Sequence, residues 1–309
     1  MELATQLVLH SLAGFVQTAA VWARTGANDQ RSGWTWPPYI VVPLLASALV
    51  YLLGLLKMRR HGSRVDVLPT FCFVAGWTSL VLALDSPLHE ASEHWFWVHM
   101  TQHEILILVS APLLVLGRPL VPLLWALPEC WRGPVAELGR SRVFKRGWLL
   151  ISAPLSAWLV HAAAIWLWHA PALFIAALDS EFMHAAQHLS FLGSALIFWW
   201  ALIENHTGRL GHGGAVLYVF TTAIHTSVLG ALLTFAPRVW YAPYEIRLAG
   251  HLTALEDQQI GGLIMWIPAG TLLTVIGLLL LIKSLTESER RWQYTRTAAM
   301  IRTAGGGGP

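Results

Sequence analysis

Seven stretches of this chain are apolar over the length of a membrane-crossing helix: 37–56, 68–84, 95–116, 149–168, 186–203, 214–236 and 259–282. A helix rising 1.5 Å per residue needs about 20 such residues to cross a hydrocarbon core of about 30 Å. A soluble domain rarely repeats such a run even twice. Hydrophobic residues make up 55% of the chain and charged residues only 12%, about half the usual share for a soluble protein. Mean hydropathy is +0.54. The runs do not alternate polar and apolar residues, which excludes a membrane barrel. The expected fold is therefore all-α: a polytopic bundle of about seven transmembrane helices occupying 37–282 as one domain. The 17 tryptophans suit belts at the two bilayer interfaces.

Segment 1–36 precedes the first run. Leu7–Val16 is apolar, but the stretch lacks a basic start and carries Glu2. It is read as an N-terminal surface or signal-like segment, with cleavage after Ala20 or Ala23 and an eighth span as the open alternatives. Residues 283–309 form the tail, which ends in a glycine run at 305–308.

Charge orients the bundle. If the first span starts outside, the inner segments hold Lys57, Arg59, Arg60 and Arg64, then Arg118, Arg132, Arg140, Arg142, Lys145 and Arg146. Arg209 and the tail residues Lys283, Arg290, Arg291, Arg296 and Arg302 join them. Of the 20 basic residues, only Arg24, Arg31, Arg238 and Arg247 stay outside. The positive-inside rule therefore predicts an outer N-terminus and a cytoplasmic C-terminus. The basic stretch 118–148 is read as a topology determinant near anionic lipid, not as a nucleic-acid surface.

The histidines collect at one end of this topology. His99 and His103 form an HxxxH pair in the third span, and His184 and His188 form another at the start of the fifth. Residues four apart share a helix face. His89, His94, His161, His169 and His251 fall toward the same side, and His225 lies near the middle of the sixth span. Ionisable groups within the bilayer are costly and usually face the bundle interior, where they serve function. A single buried histidine is more often a hydrogen-bond donor to a neighbouring helix than a ligand. Two pairs at one level shift that balance toward a metal or haem-iron site at His99, His103, His184 and His188.

Met100, Met183 and Met265 could add thioethers suited to cuprous ion, and Asp85, Asp179, Glu181 and Asp257 could orient ligand imidazoles. Cys72 and Cys130 sit toward the other side, so a thiolate site is not expected. His103-Glu104 opens like a zinc-protease HExxH motif, but Ile107 stands where its second histidine belongs. No nucleophile elbow, phosphate loop or dinucleotide fingerprint is present.

Three strings in order carry a resemblance: HMTQHEILILVSAPLLVLGRP at 99–119, WHAPALFIAALDSEFMHAAQHLSFLGSALIFWW at 168–200 and DQQIGGLIMW at 257–266. Together they resemble the multi-pass CtaG-like family of bacterial cytochrome c oxidase assembly factors, over about 37–282. This family is distinct from the single-span copper chaperone that shares its name. The resemblance implies a seven-helix plasma-membrane protein, not an enzyme, that matures haem–copper oxidase and serves copper supply. Cytochrome c oxidase subunits would be its partners. The family's histidine-bearing strings fall on His99, His103, His184 and His188, with Asp257 and Met265 in the third string. Family members often carry an acidic residue directly before the position of His188; Gln187 stands there instead, which weakens any case for a carboxylate ligand. Alternative readings of the same histidines are a b-type haem electron carrier and a copper transporter extended through His225.

Overall fold

Polar side chains share the interior of this molecule with an apolar core, and many large apolar ones are outside. His99, Gln102, His103, Ser110, Thr222, Asp257 and Gln258 are buried, while Leu45, Leu49, Leu155, Leu217, Phe220 and Leu279 are exposed. That inversion is the arrangement a lipid solvent favours, because hydrocarbon solvates leucine and penalises an unpaired polar group. A computed structural model describes residues 34, 37–205, 210–247 and 252–305, and among these it contains helices and no strands. Segment 1–36 lies outside the described residues apart from Trp34.

The long helices are α1 (Pro38–Arg60), α2 (Val67–Leu84), α11 (Glu181–Asn205), α12 (Gly211–Thr234) and α14 (Ala254–Gly305). A sixth rod, Phe96–Leu116, is assembled from α4 (Phe96–Glu104), a π-helical stretch (Ile105–Ser110) and α5 (Ala111–Leu116). Six helices are thus long and apolar enough to cross a membrane. A seventh candidate crossing is a bent pair, α8 (Arg142–Ile151) and α9 (Pro154–His169), meeting at 59°. This corrects the expectation of one continuous span at 149–168. Pro154 has no N–H and forces Ala153 into an extended conformation (φ −61°, ψ 137°), so the helix restarts there. The chain is a multi-pass membrane helix bundle.

The shorter helices lie at the two ends. α3 (Pro87–His94), α10 (Pro171–Asp179) and α13 (Pro243–Arg247) belong to one end, called here the histidine end. α6 (Leu120–Ala126) and α7 (Glu129–Arg140) belong to the other, with α8 leading back into the bundle. Residues 283–305, expected as a tail, continue α14. No glycine or proline interrupts Lys283–Ala304, so nothing in the sequence stops the helix before Gly305.

Burial shows which rods are central. The Phe96–Leu116 rod and α11 are 56% and 50% buried, against 11% for α1. The two central rods are also the two that carry the HxxxH pairs. Their neighbour α14 packs closely on α12 at Gly262, where an added Cβ would stand 2.7 Å from the Gly230 carbonyl oxygen. The π-helical stretch sits just after His103. Pro112 supplies no N–H to the turn before it, and the Ile107 carbonyl instead accepts from Trp199 Nε1 on α11 at 2.8 Å. This bond ties the two central rods together one to two turns below the histidines.

Candidate metal centre

α4 begins without a cap of its own. Trp95 holds the N-cap position and has no side-chain acceptor, so the first amides of the helix need a partner from elsewhere. Asp257 of α14 supplies it: its carboxylate accepts from Phe96 N at 2.7 Å and from Trp97 N at 3.1 Å. The adjoining Gln258 accepts from Trp240 N at 2.7 Å. At Gly261 a Cβ would stand 2.5 Å from Phe96 Cε1, so only glycine lets α4 settle this close. The DQQIGG string therefore positions the first histidine helix. Asp257, one of the acids that could have oriented an imidazole, caps the backbone.

On α11, the Ser180 hydroxyl accepts from Met183 N at 3.4 Å and starts the helix one turn before His184. The two helices then bring the four predicted histidines together. Ring centroids are 4.4 Å apart for His99 and His103, 5.3 Å for His103 and His188, 4.3 Å for His184 and His188, and 5.2 Å for His99 and His184. Within this group His99, His103 and His188 each offer a ring nitrogen within 4.8 Å of the others, and all three are buried. His184 lies beside them, less buried and outside that triad.

Several of these nitrogens have no hydrogen-bond partner among the described residues: Nε2 of His99, His184 and His188, and both nitrogens of His103. Buried polar atoms are almost always paired, so such a cluster calls for a ligand. Three imidazoles bound at about 2.0 Å to one ion stand about 3.5 Å apart, within reach of small side-chain rotations from the separations seen here. The donor set suits a borderline or soft divalent or monovalent metal ion.

The surroundings fix two tautomers. The Tyr244 hydroxyl donates to Ser92 O at 3.0 Å and lies 3.3 Å from His99 Nδ1. A hydroxyl that donates to Ser92 O can accept from His99 Nδ1–H, the tautomer that leaves His99 Nε2 as a bare lone pair. His169 Nδ1 faces the Ile165 carbonyl at 2.7 Å, which can only accept. Its buried Nε2 is therefore bare too, and its ring lies 6.1 Å from that of His103. Phe96, Phe174, Tyr241 and Tyr244 roof the cluster in contacting pairs, with Phe174 5.1 Å from His99.

The remaining candidates divide. His89 stacks on His184 at 5.5 Å and receives a bond from Gln102 Nε2 at 3.1 Å. Burial lowers its pKa, opposed in part by the carboxylates of Glu93, Asp85 and Glu181. His161 pairs with Ser194 Oγ at 3.0 Å, His225 accepts from Trp166 Nε1 at 3.3 Å, and His94 bonds within its own helix. His251 lies outside the described residues. Met265, with Glu104, His103, His161 and His169, lines a cavity of about 30 Å³ under the cluster. Met100 packs in the core, Cys72 is buried elsewhere on α2 and Cys130 is exposed on α7. Tyr244, Gln102 and the roof were not singled out as site residues in the sequence, because none of them holds a ligand position in a motif with metal-ligand spacing.

No solved structure matches this chain. Among curated proteins, Uncharacterized protein Mb0105 of Mycobacterium bovis and Uncharacterized protein MT0111 of Mycobacterium tuberculosis are each 27% identical over 244 residues. Uncharacterized protein ML1998 of Mycobacterium leprae is 24% identical over 247. Each match covers 75% of this chain and 36% of the relative, so the chain spans about a third of the length of the curated relatives it matches. The family model for the cytochrome c oxidase caa3 assembly factor (Caa3_CtaG) matches residues 49–287, which takes in both HxxxH pairs, Asp257 and Met265. The chain belongs to the cytochrome c oxidase caa3 assembly factor family.

Proposed function

We propose that this protein assists maturation of cytochrome c oxidase by holding copper transiently at His99, His103 and His188 and handing it to an oxidase subunit. The observation that carries the reading is the convergence of buried, unpartnered ring nitrogens from two helices within 4.8 Å. Neutral imidazoles bind cuprous or cupric ion without the tight grip of a thiolate cage, which suits a cargo that must leave again. Each residue has a role within this scheme. Asp257 and Gly261 hold α4 in place, Tyr244 turns the lone pair of His99 inward, and the aromatic roof excludes water. The histidine end faces outward across the bacterial plasma membrane, as the charge bias predicts, and no step of bond-making catalysis is assigned to the site. The edge-to-face packing of His103 against His99 and His188 favours an ion over haem, because a macrocycle needs open width between its axial ligands.

The test uses protein purified in mild detergent, loaded with cuprous ion under anaerobic conditions. The wild type is expected to retain copper in fixed stoichiometry without a Soret band. The double variant His99→Ala/His188→Ala should insert normally, lose that copper and fail to support oxidase assembly in cells. Unchanged copper content and oxidase activity in the variant would overturn the reading. A Soret band removed by the same substitutions would establish the haem carrier instead.

A further inference from the structure

The histidine cluster is closed above by aromatic rings, but it is open on one flank. A cavity of about 310 Å³ runs between α1 and α11. Its inner wall is His89, His184 and His188, and Glu93, Glu181 and Tyr39 stand in its lining toward α3 and the start of α11. Glu93 and Glu181 both line this cavity, and both carboxylates act on His89. His184 and His188 belong to its lining, the Nε2 atoms of both are buried without a partner among the described residues, and His188 is only 7% exposed.

Two features separate this flank from the triad. His184 touches both compartments: its ring stacks on His89 at 5.5 Å on one side and lies 4.3 Å from His188 and 5.2 Å from His99 on the other. Yet its ligand atoms lie outside the set that closes on one point. A ring so placed serves a cation in passage better than one at rest. Two carboxylates at the mouth of a low-dielectric cleft raise the local cation concentration and the association rate, and they do so without changing the final ligand set.

We propose that the cleft between α1 and α11 is the loading path of the site, with Glu93 and Glu181 as a first docking point for a metal cation and His184 as the transfer ligand into the His99–His103–His188 triad. This rests on the copper reading above. Transfer is ligand exchange only: each imidazole–metal bond formed replaces one released, and the oxidation state of the metal stays the same.

Two measurements test it. The first needs no metal. In a Cys72→Ser/Cys130→Ser background, Ala185→Cys places a thiol in the cleft wall, where Ala185 contributes to the lining. A cationic methanethiosulfonate should modify it about 10-fold faster than an anionic one at low salt, a ratio that Glu93→Gln/Glu181→Gln collapses toward 1. The second is stopped-flow loading of cuprous ion from a weak chromophoric chelator onto the full chain in detergent. The double glutamine variant should load about 10-fold more slowly at low ionic strength with unchanged final stoichiometry. Ile40→Trp, which narrows the cleft without touching charge, should slow loading at any salt. An unchanged modification ratio or unchanged loading rates in the carboxylate variant would overturn the path, as would loss of stoichiometry in that variant. A wild type that takes up no copper while keeping the modification ratio would overturn the copper reading and leave a cation-selective cleft.

Discussion

The carboxylate of Asp257 lies 2.7 Å from the backbone nitrogen of Phe96, a residue 161 positions earlier in the chain. The last span thereby caps the helix that carries His99 and His103. A helix with Trp95 at its N-cap has no local side-chain acceptor for its first amides, and the bond to Phe96 N is buried while that to Trp97 N is partly so. Replacing Asp257 with alanine strands them.

Asp257→Ala should therefore lower stability in detergent by about 2 kcal/mol, within the cost of an unsatisfied buried amide or a lost cap. Because α4 would fray at the histidine end, copper affinity should fall about 10-fold or more, as for other groups that orient ligands. Asp257→Asn keeps one acceptor oxygen and should fall between. Thermal unfolding and a chelator competition assay on the same three proteins check both effects. A full loss of stability with unchanged affinity would show that the cap and the site are not coupled.

The four histidines should not respond alike. His99, His103 and His188 contribute the atoms that close on one point, so alanine at any one should reduce copper affinity by more than about 100-fold, the upper reach of effects from groups outside the ligand set. His184→Ala leaves the triad intact and should cost about 10-fold or less. Isothermal titration or chelator competition ranks them. A loss at His184 equal to that at His103 would make it a resident ligand.

Two tyrosines of the roof provide a matched pair. Tyr244 bonds Ser92 O and meets His99 Nδ1, while Tyr241 bonds His169 O at 2.9 Å and touches no imidazole nitrogen of the triad. Both hydroxyls are buried, so Tyr244→Phe and Tyr241→Phe should each cost about 1 kcal/mol of stability. Only Tyr244→Phe frees the His99 tautomer, and only it should weaken copper binding, by about 10-fold. Nitrogen hyperfine coupling on the cupric form provides a readout that a merely structural role would leave unmoved.

Much of this was legible in the sequence, for identifiable reasons. The spans are written in run length, which the bilayer thickness fixes, and the HxxxH pairs are written in helical periodicity. The run 149–168 read as one span because hydropathy continues smoothly through Ser152 and Ala153, while Pro154 bends the backbone there, as a proline inside a span can. Asp257 could be read from the sequence either as orienting an imidazole or as a helix cap, because a carboxylate reads the same whether it meets an imidazole or an amide; the structure shows the cap. The distinction between His184 and the triad depends on how α11 is rotated against α4, and no feature of a single sequence states a rotation. The π-helical turn after His103 arises from Pro112 and Trp199 acting together across two helices, which local pattern does not join.

The approach of α12 to α14 yields a prediction about packing alone. A methyl group at Gly262 would stand 2.5 Å from Thr234 Oγ1 and 2.7 Å from the Gly230 carbonyl, both on α12. Backbone cannot rotate aside as a side chain can, so Gly262→Ala must separate the helices. The expected cost is about 1–3 kcal/mol, the range for overpacking a well-filled interface. Gly193→Ala on α11, where an added Cβ meets nothing within 4 Å, should be close to neutral in the same unfolding assay.

The sidedness of the site follows from charge and is open to direct measurement. All the basic residues of α6 to α8 and of the far end of α14 lie at the end opposite the histidines, while Arg238 is the described arginine between α12 and α13. Lysine and arginine near the ends of spans resist translocation, so the basic end should stay in the cytoplasm. Single cysteines test this: one at Glu137 on the exposed α7 and one at Glu245 on α13, each in a Cys72→Ser/Cys130→Ser background. A membrane-impermeant maleimide added to intact spheroplasts should label Glu245→Cys and spare Glu137→Cys until the cells are lysed. The reverse pattern would place the histidine cluster at the cytoplasmic face. Copper handed over from that face would have to cross the bilayer before reaching an outward oxidase site. The reading of this protein would then shift from a holder of copper at the outer surface to a conduit through the membrane.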